Sequence, residues 1–371
     1  MPHKTLIFFA LILATVVAVA GTVSFYMQRS TSSIADIEAQ QSIRLGQTIA
    51  SQMRSGDLTG ALQRYESIVS SATATPRVIA SSILTGSGIR YALTKNPSDA
   101  VQSVLDLKKV AASSDVRPFI HASAVFLIAQ FYGYAAYDES VFQEIFKDDP
   151  YRQYLVTVDG QMDKLSSIRK LYLYSYQIVP TFPAAIAIAD VDMTRKYRDV
   201  ALGYTEPENK SKIDNVEKFL ALAEDLTRSS IYEQPSEPGA YGTYLLKRAY
   251  VIGGLAHFKG APYNTQYKKA FEDVIAYFTE HSGAQVEKTV AIARVKYAMY
   301  LVQIDNDVSA ARAELLQAIA AVRASQDPLN DTLVNFIHYI KQAPLVYEIP
   351  MAIENMTKIS PEFKGFVESI K

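Results

Sequence analysis

Hydrophobic positions recur at helical spacing along most of the chain. From Ile34 to Met53 they fall at Ile34, Ile37, Ile43, Leu45, Ile49 and Met53, and next at Leu58, Ala61, Leu62, Tyr65, Ile68 and Val69. Steps of three and four put such residues on one helix face. The punctuation agrees. Gly56-Asp57 breaks the first segment, and Asp57 offers a cap for the second. Thr75-Pro76 and Asn96-Pro97 each read as a cap followed by a first-turn proline. A third helix is expected to carry Ile79, Ile83, Leu84 and Tyr91, and a fourth Ala100, Val101, Val104, Leu105 and Leu107. The same rhythm predicts helices over 116–137, 140–146, 184–202, 213–229, 241–258, 265–281, 285–304, 308–323 and 329–341.

Only residues 151–179 are ambiguous. The run Leu171 to Val179 alternates like a strand, yet Leu165, Ile168, Tyr172, Ser175 and Val179 also form a helical stripe. Helical neighbours on both sides decide for helix. The fold class is therefore all-α, and the short connections imply antiparallel neighbouring helices. Polar breaks at 206–212 and 233–239 are too short to mark a domain boundary.

One stretch stands outside this pattern. Leu6 to Met27 reads LIFFALILATVVAVAGTVSFYM and holds no charged residue. As a helix it would reach roughly 33 Å, enough for a hydrocarbon core of roughly 30 Å. Phe25 and Tyr26 suit the headgroup zone. The expected division is a membrane anchor over 1–29 and a helical body over 30–371. Ala18-Val19-Ala20 offers a small-x-small cleavage pattern after Ala20, but apolar character continues through Val23, Phe25 and Tyr26, which favours retention. Lys4 precedes the run and Arg29 follows it, so charge alone orients it weakly. The short leading tail resembles a signal-anchor and places the body on the extracytoplasmic side of a plasma membrane. Ala10, Ala14, Ala18 and Thr22 recur every four residues, the spacing that lets helices approach closely in lipid.

Composition narrows the chemistry. The formal net charge is −1, which argues against a nucleic-acid partner. There is no cysteine, hence no disulfide, thiol nucleophile or thiolate metal site. The five histidines, His3, His121, His257, His281 and His338, form no pair at helical ligand spacing. Ser167 to Lys170 matches S-x-x-K, but its companion motifs are missing. Asp190 and Asp192 are two apart and do not face each other on a helix; Asp192 with Lys196 reads as a surface pair. Asp305-Asn306-Asp307 lacks the glycine and closing glutamate of a calcium loop and reads as a cap for the helix at Val308. Gly253-Gly254 reads as close helix packing. The expectation is no enzyme, no cofactor and no metal.

Leu84, Gly88 and Tyr91, then Ala100, Val104 and Leu107, fall at the spacing of a tetratricopeptide helix pair. Gly56-Asp57 with Ala61, Tyr65 and Ile68 looks like the second helix of such a pair, as does Asp307-Val308 with Ala311, Leu315 and Ala318. The body thus resembles the tetratricopeptide-like helical-repeat superfamily, most clearly outside residues 116–240. That resemblance implies an α-solenoid of helical hairpins with a concave surface for a protein or peptide. It would point Lys296, Tyr300 and Gln303 into the groove, with Arg248 on the same side. The implied function is a membrane-anchored interaction scaffold or chaperone-like adaptor. The alternative is a structural subunit of a homo-oligomeric envelope assembly, and the third reading is an enzyme with an unrecognised site.

Overall fold

A computed structural model describes residues 44–49, 51–52, 57–94, 96–114, 116–135, 138–201, 208–228, 238–280 and 284–324. Among these residues the chain is mostly helical, with thirteen α-helices, two short 3₁₀ turns and one two-stranded hairpin. The stretch Leu6 to Met27, with Ala10, Ala14, Ala18 and Thr22, lies outside the described residues, as does the helix expected over 329–341. Among the described residues no helix is long and apolar enough to cross a membrane.

The helices are α1 (Leu58–Val69), α2 (Pro76–Gly86), α3 (Ile89–Thr94), α4 (Pro97–Ala112), α5 (Pro118–Tyr134), α6 (Glu139–Phe146), α7 (Lys164–Ile178), α8 (Phe182–Ala201), α9 (Glu208–Arg228), α10 (Pro238–Lys259), α11 (Tyr267–Glu280), α12 (Ala284–Asp305) and α13 (Val308–Ala324). Their starts follow the capping residues. Gly60 N–H donates to Asp57 Oδ1 at 2.9 Å, Ser98 N–H to Asn96 Oδ1 at 3.0 Å and Ala310 N–H to Asp307 Oδ1 at 3.0 Å. Each such bond satisfies an otherwise orphaned amide and is worth about 1 kcal/mol.

Two segments differ from expectation. The third helix splits into α2 and α3 around Ser87-Gly88, where the Ser103 hydroxyl donates to the Ser87 carbonyl. The stretch 151–179 is helical only from Lys164. Before it come a 3₁₀ turn (Tyr151–Tyr154) and strands β1 (Thr157–Val158) and β2 (Gln161–Met162), paired antiparallel with Thr157 opposite Met162. Asp159 and Gly160 both have positive φ, 51° and 77°. This Asp-Gly pair is the sequence signature of a two-residue hairpin turn. The stripe Leu165, Ile168, Tyr172 and Ser175 is buried, as the helical reading of α7 requires.

The chain forms two compact units. The first comprises the described residues of Leu11–Ala185 and Ala223–Thr243. In it α1 packs on α2 and α3, α4 on α5 and α6, and α5 on α6 and α7. α5 is apolar all round, and Ile120, Ala124, Val125, Leu127, Ile128 and Phe131 are all buried, as such a helix must be. The Ser175 hydroxyl donates to Ala122 O at 2.7 Å and fastens α7 to α5. Tyr65 of α1 lies against Gly86 of α2, where a Cβ would overlap the ring.

The second unit comprises the described residues of Ile186–Leu222 and Tyr244–Lys371. α12 packs on α11 and on α13, and the predicted α13 stripe of Ala311, Leu315 and Ala318 is fully buried. α10 meets α12 through Gly253 and α8 through Gly254, whose missing side chains make room for Tyr300 and Met193.

These glycine seats are directly testable. Gly86→Ala and Gly253→Ala should each lower stability by about 1–3 kcal/mol, the usual cost of overpacking. Urea denaturation should show lower midpoints with an unchanged slope.

Candidate functional site

The residues expected to line a groove lie on α12 and α10 of the second unit, and the structure separates them into different roles. Lys296, Tyr300 and Gln303 share one stripe of α12. Tyr300 is 0% exposed. Its ring fills the space left by Gly253 and is surrounded by Tyr250, Tyr267 and Phe271. Its hydroxyl donates to Tyr250 O at 3.2 Å and lies 3.2 Å from the Tyr197 hydroxyl. A side chain with no solvent-facing surface has nothing to offer a peptide, so Tyr300 belongs to the core. Gln303 is half-buried, and its Oε1 is buried without a hydrogen-bond partner. Arg248 is half-buried on α10 and already engaged in interactions.

The groove reading fails at Tyr300 for a physical reason. α12 buries Val295, Tyr297, Ala298, Met299, Tyr300 and Leu301, residues that encircle the helix. A helix contacted on several sides has no single outward face to read from its pattern. The register of Ala311, Leu315 and Ala318 orients α13 correctly but leaves the rotation of α12 undetermined.

What the sequence reading missed is an ionic seam on α8. Asp192, Lys196 and Asp199 are buried, at 0%, 6% and 3% exposure, so Asp192 and Lys196 are no surface pair. Asp192 takes a hydrogen bond from Arg195 Nη1 at 2.8 Å, one turn away. Asp199 pairs with Lys212 of α9 and with Arg198 Nε at 3.2 Å. The Lys196 ammonium sits 5.2 Å from the centre of the Phe258 ring. Asp190 pairs with Lys247 of α10 at 3.1 Å. The three- and four-residue spacing of these charges was visible; their burial was not, because α8 is enclosed by elements far away in sequence. Such pairs add little net stability, yet leaving one partner alone inside costs about 3–5 kcal/mol.

Lys296 completes this seam from α12. It is partly buried, and its ammonium lies 4.0 Å from the centre of the Tyr250 ring. Burial is the main cause that pushes its pKa down to about 8; Asp190 pulls it up and Lys247 pushes it further down. Other titratable groups are simpler. His121 and His257 are held below the usual histidine range by burial. Tyr267 is raised by burial and by its hydrogen bond to Asp305, whose carboxylate Lys268 also holds at 2.6 Å. Asp305 therefore binds α11, and Asp307 alone caps α13.

The S-x-x-K serine, Ser167, is fully buried; its hydroxyl donates to Asp163 O and accepts from Val156 N–H, which pins the hairpin to α7. Among the described residues no group of three acidic, histidine or cysteine side chains could hold a metal. Compared with family models, with curated proteins and with solved structures, the chain shows no match.

The lowered pKa of Lys296 carries a stability consequence of definite sign. The folded state releases the proton near pH 8 and the unfolded state near pH 10.4, so the cost of the buried charge is fully present below pH 8 and lifted as pH rises toward 10. That cost is about 3 kcal/mol, against about 1 kcal/mol gained from the ring contact. Lys296→Met should therefore be more stable than the parent by about 1–2 kcal/mol at pH 7, and the difference should vanish near pH 10. Chemical denaturation at both pH values measures it.

Proposed function

We propose that the chain is a membrane-anchored, tetratricopeptide-like interaction scaffold. Its α-solenoid body stands on the extracytoplasmic side of a plasma membrane and holds a protein or peptide partner. The observation that carries this reading is the packing in the first unit. Several helices there pack on a following helix and on the one after it, α1 on α2 and α3, α4 on α5 and α6, and α5 on α6 and α7, a pattern hairpin repeats also give. The uncharged run Leu6 to Met27 supplies the anchor. The division of labour is an anchor over 1–29 and a helical-repeat body over 30–371. The body acts by binding, with no chemistry of its own and no cofactor.

The recognition surface does not include Tyr300, whose ring is internal. In the first unit the hairpin between α6 and α7 exposes Val158 (53%) and Met162 (42%), which its register places on opposite faces of the ribbon.

Topology and partner are tested together. A C-terminal alkaline-phosphatase fusion of the full chain should be active, and crosslinking in intact membranes should join the chain to a different protein. An inactive fusion would reverse the orientation. Crosslinks only between copies of the chain would replace the scaffold by a structural subunit of a homo-oligomeric assembly.

A further inference from the structure

The chain has no cysteine, so a covalent staple between its segments has to come from another side chain. Tyrosine is abundant, at 24 residues, and one pair in the first unit stands apart. Tyr154 ends the 3₁₀ turn before the hairpin, and Tyr174 lies on α7. Their ring centres are 4.9 Å apart with the planes 25° from parallel, a stacked contact. His121 of α5 meets the Tyr174 ring edge-on at 6.0 Å and helps to hold it. Both tyrosines are half-buried, so each keeps some surface in solvent. The tyrosine contacts of the second unit differ on both counts. Tyr197–Tyr250, Tyr250–Tyr300, Tyr267–Tyr297 and Tyr267–Tyr300 have ring centres 6.2–6.4 Å apart, tilted or edge-on. None of those rings is more than 7% exposed. Oxidative coupling of two phenols needs ring carbons that meet and an oxidant that reaches them, and the Tyr154–Tyr174 pair offers both.

We propose that Tyr154 and Tyr174 form an oxidative crosslinking site, which a peroxide-driven one-electron oxidant of the haem-peroxidase class converts to a dityrosine. Each phenol gives one electron to the oxidant and its hydroxyl proton to water. The two phenoxyl radicals then pair their odd electrons in a C–C bond between ring carbons ortho to the oxygens. The hydrogens on those carbons pass through water to the oxygens and restore both hydroxyls. The two electrons and two protons released reduce one hydrogen peroxide to two waters. The new bond closes a loop of about twenty residues around the β1–β2 hairpin, and so restricts the unfolded chain as a disulfide does. It fastens the 3₁₀ turn to α7, on which that turn already packs.

The test is oxidation of the full chain in detergent with a haem peroxidase and limiting hydrogen peroxide, followed by trypsin digestion and mass spectrometry. A photoexcited ruthenium complex with persulfate serves as a second, smaller oxidant. Peptide 153–164 should be found joined to peptide 171–195 through Tyr154 and Tyr174, lighter by two hydrogens than the separate pair. The yield should not change on dilution, because both rings belong to one chain. Tyr154→Phe and Tyr174→Phe keep the ring and remove the phenol, so each should abolish the link. Tyr176→Phe, two residues along α7, should leave it in place. The proposal is overturned if neither oxidant forms the link while other tyrosines of the chain couple. It is equally overturned if the yield falls with dilution, or if the two peptides remain joined in Tyr174→Phe.

Discussion

The second unit depends on the seating of Tyr300 against Gly253. A tyrosine ring can enter there only because α10 has no side chain at that point. Once seated, the ring touches Tyr250, Tyr267 and Phe271, and its hydroxyl is satisfied by a backbone carbonyl and by Tyr197. Three helices, α8, α10 and α12, thus converge on one side chain, and α11 joins them through Tyr267 and Phe271. Removing a buried aromatic of this size typically costs 3–5 kcal/mol, several times the worth of any exposed ion pair in the molecule. Arg228 with Glu224 and Asp225, all on the α9 surface, is such a pair and decides nothing.

The ionic seam follows from that packing rather than driving it. Once α8 is enclosed, its charges have to find partners inside, and Asp192, Asp199 and Asp190 do so through Arg195, Lys212 and Lys247. The Asp199–Lys212 and Asp190–Lys247 pairs join α8 to α9 and α10, where any slip would leave a charge without its partner. Lys296 is where the pairing runs out. Its cation rests on an aromatic face instead of a carboxylate, and burial pushes its pKa down.

The first unit reaches stability by a different route. Its central helix α5 is apolar on every side, so the neighbouring helices need only present ordinary amphipathic faces. Two of the hydroxyls that enter this core are directed to the backbone: Ser175 to Ala122 O, and Ser167 to Asp163 O. Hydroxyls satisfied in this way carry no charge to pair. The Asp159-Gly160 hairpin interrupts the helical regime and leaves apolar side chains in solvent.

Helix existence, helix type and most helix starts were legible in the sequence, because capping and periodicity are local interactions completed within one or two turns. Asp57, Asn96 and Asp307 cap the helices expected of them for that reason. The Asp-Gly hairpin was equally local and could have been read from Asp159-Gly160. Tertiary structure decided the rotation of α12 and hence the fate of Tyr300, because helix α12 is apolar on several sides and its partners lie up to about a hundred residues away in sequence. It also decided that Asp192 and Lys196 are internal. Charge spacing shows which side chains can pair along a helix, but burial depends on which other helices cover it.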